Sequence, residues 1–202
     1  ALRTTTYPDY ELIVVDNASS DGSAELARAQ WPEAQVLANR ENIGFGRACN
    51  QGAAAARGEY VLFLNADVRI EAPWLDLLLE SVRAHPAIGL WCPTTLYPSQ
   101  PPPASSEKRI DRVAAIPGCA LLATRRAWEE LGGFDPAMFL YWEDTELCWR
   151  AWLLGWEVAA DLGALVYHDR GASTGFRRWD AETTKNSLYT YLKLMPWPAV
   201  AR

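Results

Sequence analysis

The sequence predicts an α/β fold, and three observations carry that prediction. Short runs of branched and aromatic residues, each of strand length, alternate with helical runs through the first half of the chain. Glycine, proline and small polar residues fall between them, where helices start and stop. The apolar runs Tyr10–Val15 and Tyr60–Leu64 both end on Asn and Asp. In an open α/β sheet, the carboxyl ends of the strands form the ligand crevice.

Taken in order, Tyr10–Val15 is a buried strand that ends in Asp16-Asn17-Ala18-Ser19-Ser20-Asp21-Gly22. These side chains bond readily to backbone, and a helix follows over Ser23–Ala29, stopped by Trp31-Pro32. Asp16 has the chemistry to accept from a base N–H or a ribose hydroxyl; Asp16 and Asp21 also serve simply as turn and helix caps. Gln35–Ala38 is a third strand. The segment Asn39–Gly52 then leads into a helix over Ala53–Ala56, and Gly44 and Gly46 permit close backbone approach by an anion or polar ligand. It lacks the GK[ST] element of a P-loop.

The strand Tyr60–Leu64 has five apolar residues in a row and reads as buried on both faces. It stops on Asn65-Ala66-Asp67. Alone, these residues read first as a turn and helix cap; a carboxylate at that position also holds a divalent cation, which in turn holds a diphosphate. Trp74–Ala84 is an amphipathic helix with Leu75, Leu78, Leu79 and Val82 on one face, and Ile88–Cys92 is a strand. The proline-rich stretch Pro93–Ser106 reads as an irregular connection between two halves. Gly118–Thr124 resumes as a strand, followed by a helix over Arg125–Leu131.

From Glu143 a helix runs to Leu154, with Leu147, Cys148, Ala151, Trp152 and Leu154 expected inward. Glu143, Asp144 and Glu146 crowd its first turn, where acids complement the helix dipole or project as a general base. Dipole and burial act on Asp144 in opposite directions, and the expectation is an ionised carboxylate near neutral pH. Two short strands, Glu157–Ala160 and Ala164–Tyr167, lead to His168, again at a strand end. Ala181–Leu194 reads as an amphipathic helix with Leu188, Tyr191, Leu192 and Met195 on one side. Packing on its own domain is its ordinary use, and a peripheral membrane contact is the alternative. Pro196-Trp197-Pro198 ends it.

Composition narrows the partners. A net charge of −6 argues against nucleic acid. The four cysteines show no CxxC spacing, so free thiols in a reducing, cytoplasmic setting are expected rather than bridges or zinc ligands. Ten tryptophans, mostly in the second half, suit a groove for a sugar or amphipathic substrate as well as core packing.

Five motifs occur in order: Val15–Ser23; Asn42-Ile43-Gly44-Phe45-Gly46 with Asn50; Leu64-Asn65-Ala66-Asp67; Gly133-Phe134-Asp135 through Glu143-Asp144 to Trp149-Arg150; and His168 with Gly171-Ala172-Ser173. Over nearly the whole chain this resembles the family 2 glycosyltransferases of GT-A fold, within them the rhamnosyltransferase-like branch. The resemblance implies a Rossmann-like nucleotide-binding sheet with helices on both faces, continuous with a smaller acceptor-side subregion. It divides the chain into a nucleotide-sugar half (1–92), an acceptor and catalytic half (93–179) and a helical tail (180–202).

By the same resemblance, Asp16, Asn17, Asp21, Asn42, Gly44, Asn50 and Asn65 belong to the donor pocket. Asp67 and His168 would hold a Mg or Mn ion, Asp144 would be the base of an inverting transfer, and Glu143 its acidic neighbour. The implied reaction moves a sugar, rhamnose in the nearest branch, from a nucleoside-diphosphate donor to a glycan or lipid-linked acceptor. Its setting would be cell-wall or polysaccharide assembly at the inner membrane face. Asn65 replaces an acid of the family's DXD-type element, and the family's first strand and most of its first helix are missing before Tyr10. The sequence therefore reads as N-terminally incomplete, and either pairing with another chain through the missing-strand edge or a longer protein that fills the gap is expected. A catalytically incomplete binding or assembly module and a nucleotidyltransferase remain the alternatives.

Overall fold

The computed structural model describes residues 2, 5–70, 73–102, 110–169 and 176–195, the last segment with side chains from 181 onward. Gly171-Ala172-Ser173 and Pro196-Trp197-Pro198 lie outside the described residues.

Strand β1 (Ile13–Asp16) is followed by α1 (Ser23–Gln30), β2 (Gln35–Ala38), α2 (Phe45–Ala55), β3 (Tyr60–Leu64), β4 (Val68–Ile70) and α3 (Trp74–Ala84). The second half adds β5 (Ile88–Leu96), β6 (Ile110–Arg112), β7 (Ala120–Thr124), α4 (Arg125–Leu131), α5 (Glu143–Leu153), β8 (Glu157–His168) and α6 (Phe176–Leu194). β1 and β2 pair in parallel as one small sheet. The other six strands form a mixed sheet in the order β3-β7-β5-β8-β4, with β6 also on β8.

Helices cover both faces of the larger sheet: the central strands β5 and β7 are buried, while β3 at its edge alternates buried and half-buried residues. Val61, Phe63, Leu121 and Ala123 point to one side, against Trp128, Phe134, Leu147 and Ala151 from α4, α5 and the loop between them. Ile88, Trp91, Ala120 and Leu122 point to the other, against Trp74, Leu75, Leu78, Leu79 and Val82 of α3. At about 1.5–3 kcal/mol for each large buried side chain, α3 is held by packing rather than by its own helical propensity.

Several expectations change. The buried strand expected over Tyr10–Val15 forms only over Ile13–Asp16, and all four of its residues are half-buried because β1 lies in the small two-stranded sheet. The helix expected at Ala53 begins at Phe45, because Gly44 (φ 90°) makes the turn and the glycines after it pack inside the helix. An added Cβ would lie 3.0 Å from Phe134 Cβ at Gly46 and 3.1 Å from Val15 Cγ2 at Gly52. The irregular stretch expected from Pro93 starts later, since β5 runs on to Leu96. Pro93 is accommodated at a register shift, past the β7 pairing that ends at Trp91, so its missing N–H costs no ladder bond to β7. The division expected at residue 92 therefore falls within a strand of the sheet that both halves share. Glu157–His168 is one twelve-residue strand rather than two. Trp152 and Leu154, expected inward, are 39% and 56% exposed.

Candidate active site

The candidate residues gather at one end of the sheets, and backbone pairing explains why. β3 runs antiparallel to β7, so the end of β3 meets the start of β7: Leu64 pairs with Ala120, and the Asn65 N–H donates to the Cys119 carbonyl. One residue earlier, the Gly118 N–H donates to Asp144 Oδ2 at 2.8 Å. The Asn65-Ala66-Asp67 turn and the first turn of α5 are thus joined through three consecutive residues of β7 and its lead-in. An ideal Cβ at Gly118 would stand 3.4 Å from Asp144 Cβ and 3.5 Å from the Phe45 ring, which brings the start of α2 to the same place.

Asp67 and His168 converge from different strands. Val68 pairs with His168 across β4 and β8, the Asp169 N–H donates to the Asp67 carbonyl, and His168 Nε2 lies 3.1 Å from Asp67 Oδ1. Both side chains remain partly exposed, at 15% and 22%. Among the described residues, no group of three or more His, Cys, Asp or Glu side chains is placed to hold a metal. A carboxylate and an imidazole side by side nevertheless could contribute two ligands to a divalent cation.

The Asn-rich turn is an interlocked set. Asn17 donates to Asn42 Oδ1 (2.8 Å) and to the Gly44 carbonyl, and accepts from the Ile43 N–H (3.0 Å). Asn42 also accepts from the Gly44 N–H. These bonds fix the end of β1 against the start of α2. Asp16 accepts from the Ser19 N–H at 3.3 Å, and Asp21 accepts from the Ser23 N–H and hydroxyl at the start of α1.

Two residues assigned to the donor pocket also make contacts within the chain. Both ends of the Asn50 amide are bonded to the Phe134 backbone, at 2.8 and 2.9 Å. Gly44 is glycine because a Cβ there would lie 2.5 Å from the Phe139 carbonyl, which accepts from the Phe45 N–H. The close approach that Gly44 and Gly46 permit is made by the chain's own 134–139 loop.

The three acids of α5 differ sharply. Glu146 is fully buried and paired with Arg150 (2.5 Å) and Lys193 (2.7 Å). Glu143 is buried, its Oε2 has no hydrogen-bond partner among the described residues, and burial plus the neighbouring Asp144 charge push its carboxyl up to about 8. Burial raises the Asp144 carboxyl above its ordinary value, opposed by bonds from Gly118 N–H and from the Thr145 N–H and hydroxyl. Of the opposed effects expected at Asp144, burial is the larger. The shift favours the protonated form of Glu143 at neutral pH.

Sequence reasoning missed Asn186. Tyr141 and Trp142 both adopt left-handed backbone (φ 67° and 74°) immediately before α5. For bulky residues such conformations are strained. The Asn186 amide, 1% exposed, donates to the carbonyls of Leu140 (3.0 Å) and Tyr141 (2.7 Å) and holds the turn in place. A lone Asn in a helix gives no sequence signal of such a role.

A sequence model of Glycosyl transferase family 2 matches residues 1–154. The chain belongs to that family. The N-acetylglucosaminyl-diphospho-decaprenol L-rhamnosyltransferase of Mycobacterium tuberculosis is 27% identical over 87% of this chain and 71% of its own length. The pre-mycofactocin glycosyltransferase of the same organism is 30% identical over 88% of the chain and 41% of its own length. Among solved structures, a Pyrobaculum calidifontis mannosyltransferase bound to GDP-Man and Mn2+ superposes with a TM-score of 0.69 at 20% identity, covering 95% of this chain and 57% of that one. S. aureus TarS bound to UDP gives 0.70 at 16% identity, covering 98% and 61%. The family 2 chain thus has the GT-A fold of these glycosyltransferases and spans about three fifths or less of both solved chains.

Proposed function

We propose that this family 2 glycosyltransferase moves a sugar, with inversion, from a nucleoside-diphosphate donor to a hydroxyl of a glycan or lipid-linked acceptor. What supports this reading is the Asp67–His168 pair together with the backbone link, through Asn65, Cys119 and Gly118, that ties its turn to the Asp144 carboxylate. The rhamnosyltransferase relative, named for a decaprenol-linked acceptor, supports rhamnose and a lipid-linked substrate as the first to try.

Asp67 and His168 would hold a Mg or Mn ion, which when bound neutralises the charge of the departing diphosphate. The interlocked Asn17, Asn42 and Gly44 shape the neighbouring wall, with Asp16 at its edge, for the nucleotide. Asp144, oriented by the Gly118 N–H, takes the proton of the acceptor hydroxyl as that oxygen forms its bond to the anomeric carbon. A single base acting on the face opposite the leaving diphosphate inverts the configuration.

Calorimetry tests the reading. Nucleoside diphosphates are expected to bind with Mn2+ present and weakly without it, and Asp67→Ala should abolish the metal-dependent part. Binding that ignores both metal and Asp67 would overturn this assignment and favour a binding module.

A further inference from the structure

Helix α6 is docked inside out. The side chains it turns to the domain are polar: Asn186 and Thr190 are 1% and 0% exposed. Beside them the Tyr189 hydroxyl bonds to Asp135, and the Lys193 ammonium bonds to Asp135 and Glu146. At about 100° per residue, Leu188, Tyr191, Leu192 and Met195 fall on the opposite side. Leu188, Tyr191 and Leu192 are 57%, 43% and 46% exposed. A helix whose apolar stripe served its own core would be turned half a revolution from this.

The apolar surface continues onto α5. Tyr191 meets the Trp149 ring edge-on at 5.4 Å, and Trp149, Trp152, Leu153 and Met195 line a shallow groove of about 480 Å³. Leu153 is 63% exposed. A contiguous exposed apolar surface of this kind marks something that covers it.

We propose that this face seats on a lipid surface and brings the acceptor side of the site to a lipid-linked acceptor. The inference rests on the lipid-linked reading of the acceptor above. Two observations select lipid. The inner face of the same helix, through Asn186, holds the turn that leads into Asp144, so the apolar face lies beside the proposed acceptor side. The stripe mixes leucine with tyrosine and tryptophan, rings that settle at a membrane interface, with Arg112 at the edge of the groove. With a net charge of −6, the contact should depend on apolar burial and not on anionic headgroups.

The test is flotation of the chain with phosphatidylcholine vesicles, without donor or metal, at low and high salt. The chain is expected to float with the vesicles at both. The double variant Leu188→Glu, Leu192→Glu should lower the bound fraction by about tenfold or more. Because both leucines are exposed, its melting temperature and nucleotide binding should match the parent. Failure of the parent to float, or equal flotation of the variant, overturns the proposal. So does a dimer in solution that this variant converts to monomer, for the face would then be an interface between copies. Loss of nucleotide binding with flotation intact would instead sink the catalytic reading and leave this one standing.

Discussion

At the scale of single residues, the Glu143–Asp144 pair separates chemistry from pH dependence. Asp144→Asn removes the proton acceptor and also turns one amide N–H against a backbone donor, since both Asp144 oxygens now accept. The second effect should cost stability on the order of 1 kcal/mol. Turnover should fall by roughly a hundredfold or more, with nucleotide and metal binding nearly intact. Single-turnover kinetics beside calorimetry check this, and parental turnover in the variant would reduce Asp144 to a helix cap. Glu143 has its effect on folding. Its carboxyl, ordinarily 4.5, keeps its proton to about 8 in the folded chain. Unfolding therefore releases a proton between those values, and stability falls as pH rises through that window and levels above it. At about 1.4 kcal/mol for each unit, the loss is a few kcal/mol. Glu143→Gln should melt close to the parent at pH near 5 and well above it at pH above 8, measured by thermal denaturation. Parallel pH profiles would contradict this.

At the scale of elements, α6 decides the posture of α5. Its inner face makes the Asn186 bonds and the Lys193 links to Asp135 and Glu146, while Arg150 ties Glu146 to the carbonyls of Leu131 and Gly133. Polar contacts of this sort contribute about 0.5–1.5 kcal/mol each, more when charge-assisted, so α6 is held less tightly than the leucine-packed α3. Asn186→Ala leaves the Leu140 and Tyr141 carbonyls without this donor and lets the left-handed turn relax. The loss is expected to be about 1–3 kcal/mol in denaturant unfolding. Its distinguishing mark is a lower kcat with an unchanged nucleotide Kd, because the turn carries Asp144 and not the donor pocket. A drop in donor affinity of the same size would assign Asn186 to general stability instead.

For the whole molecule, the division into two sheets matters most. Among the described residues, β1 has only β2 as a partner and β3 has only β7. Each leaves a row of backbone donors and acceptors open to another strand. We expect the 202-residue chain alone to associate through these edges, with a light-scattering mass that rises with concentration. Amides on the open sides of β1 and β3 should gain protection from exchange as it does. A strict monomer with those amides exchanging freely would contradict the expectation.

What the sequence determined by itself was the local and the periodic. The strand at Tyr60–Leu64, the helices at Trp74–Ala84 and Arg125–Leu131, and the inward Leu147, Cys148 and Ala151 follow from apolar spacing and flanking turn residues. The positions of Asp67, Asp144 and His168 at element ends were legible for the same reason. Their distances were not, because Asp67 reaches His168 and Asp144 reaches Gly118 only through strand pairing between distant segments. The tertiary structure also decided what the glycines and amides serve. Gly44, Gly46 and Asn50 suit a ligand in sequence, yet they receive the 134–139 loop, since a close backbone approach leaves the same residue types whichever partner makes it. The orientation of α6 was decided there too. Its stripe of Leu188, Tyr191 and Leu192 predicts an inward face, and buried bonds from Asn186, Tyr189 and Lys193 to the α5 region turn it outward. Periodicity finds the apolar side of a helix; only the donors and acceptors waiting on the domain determine which side it turns toward them.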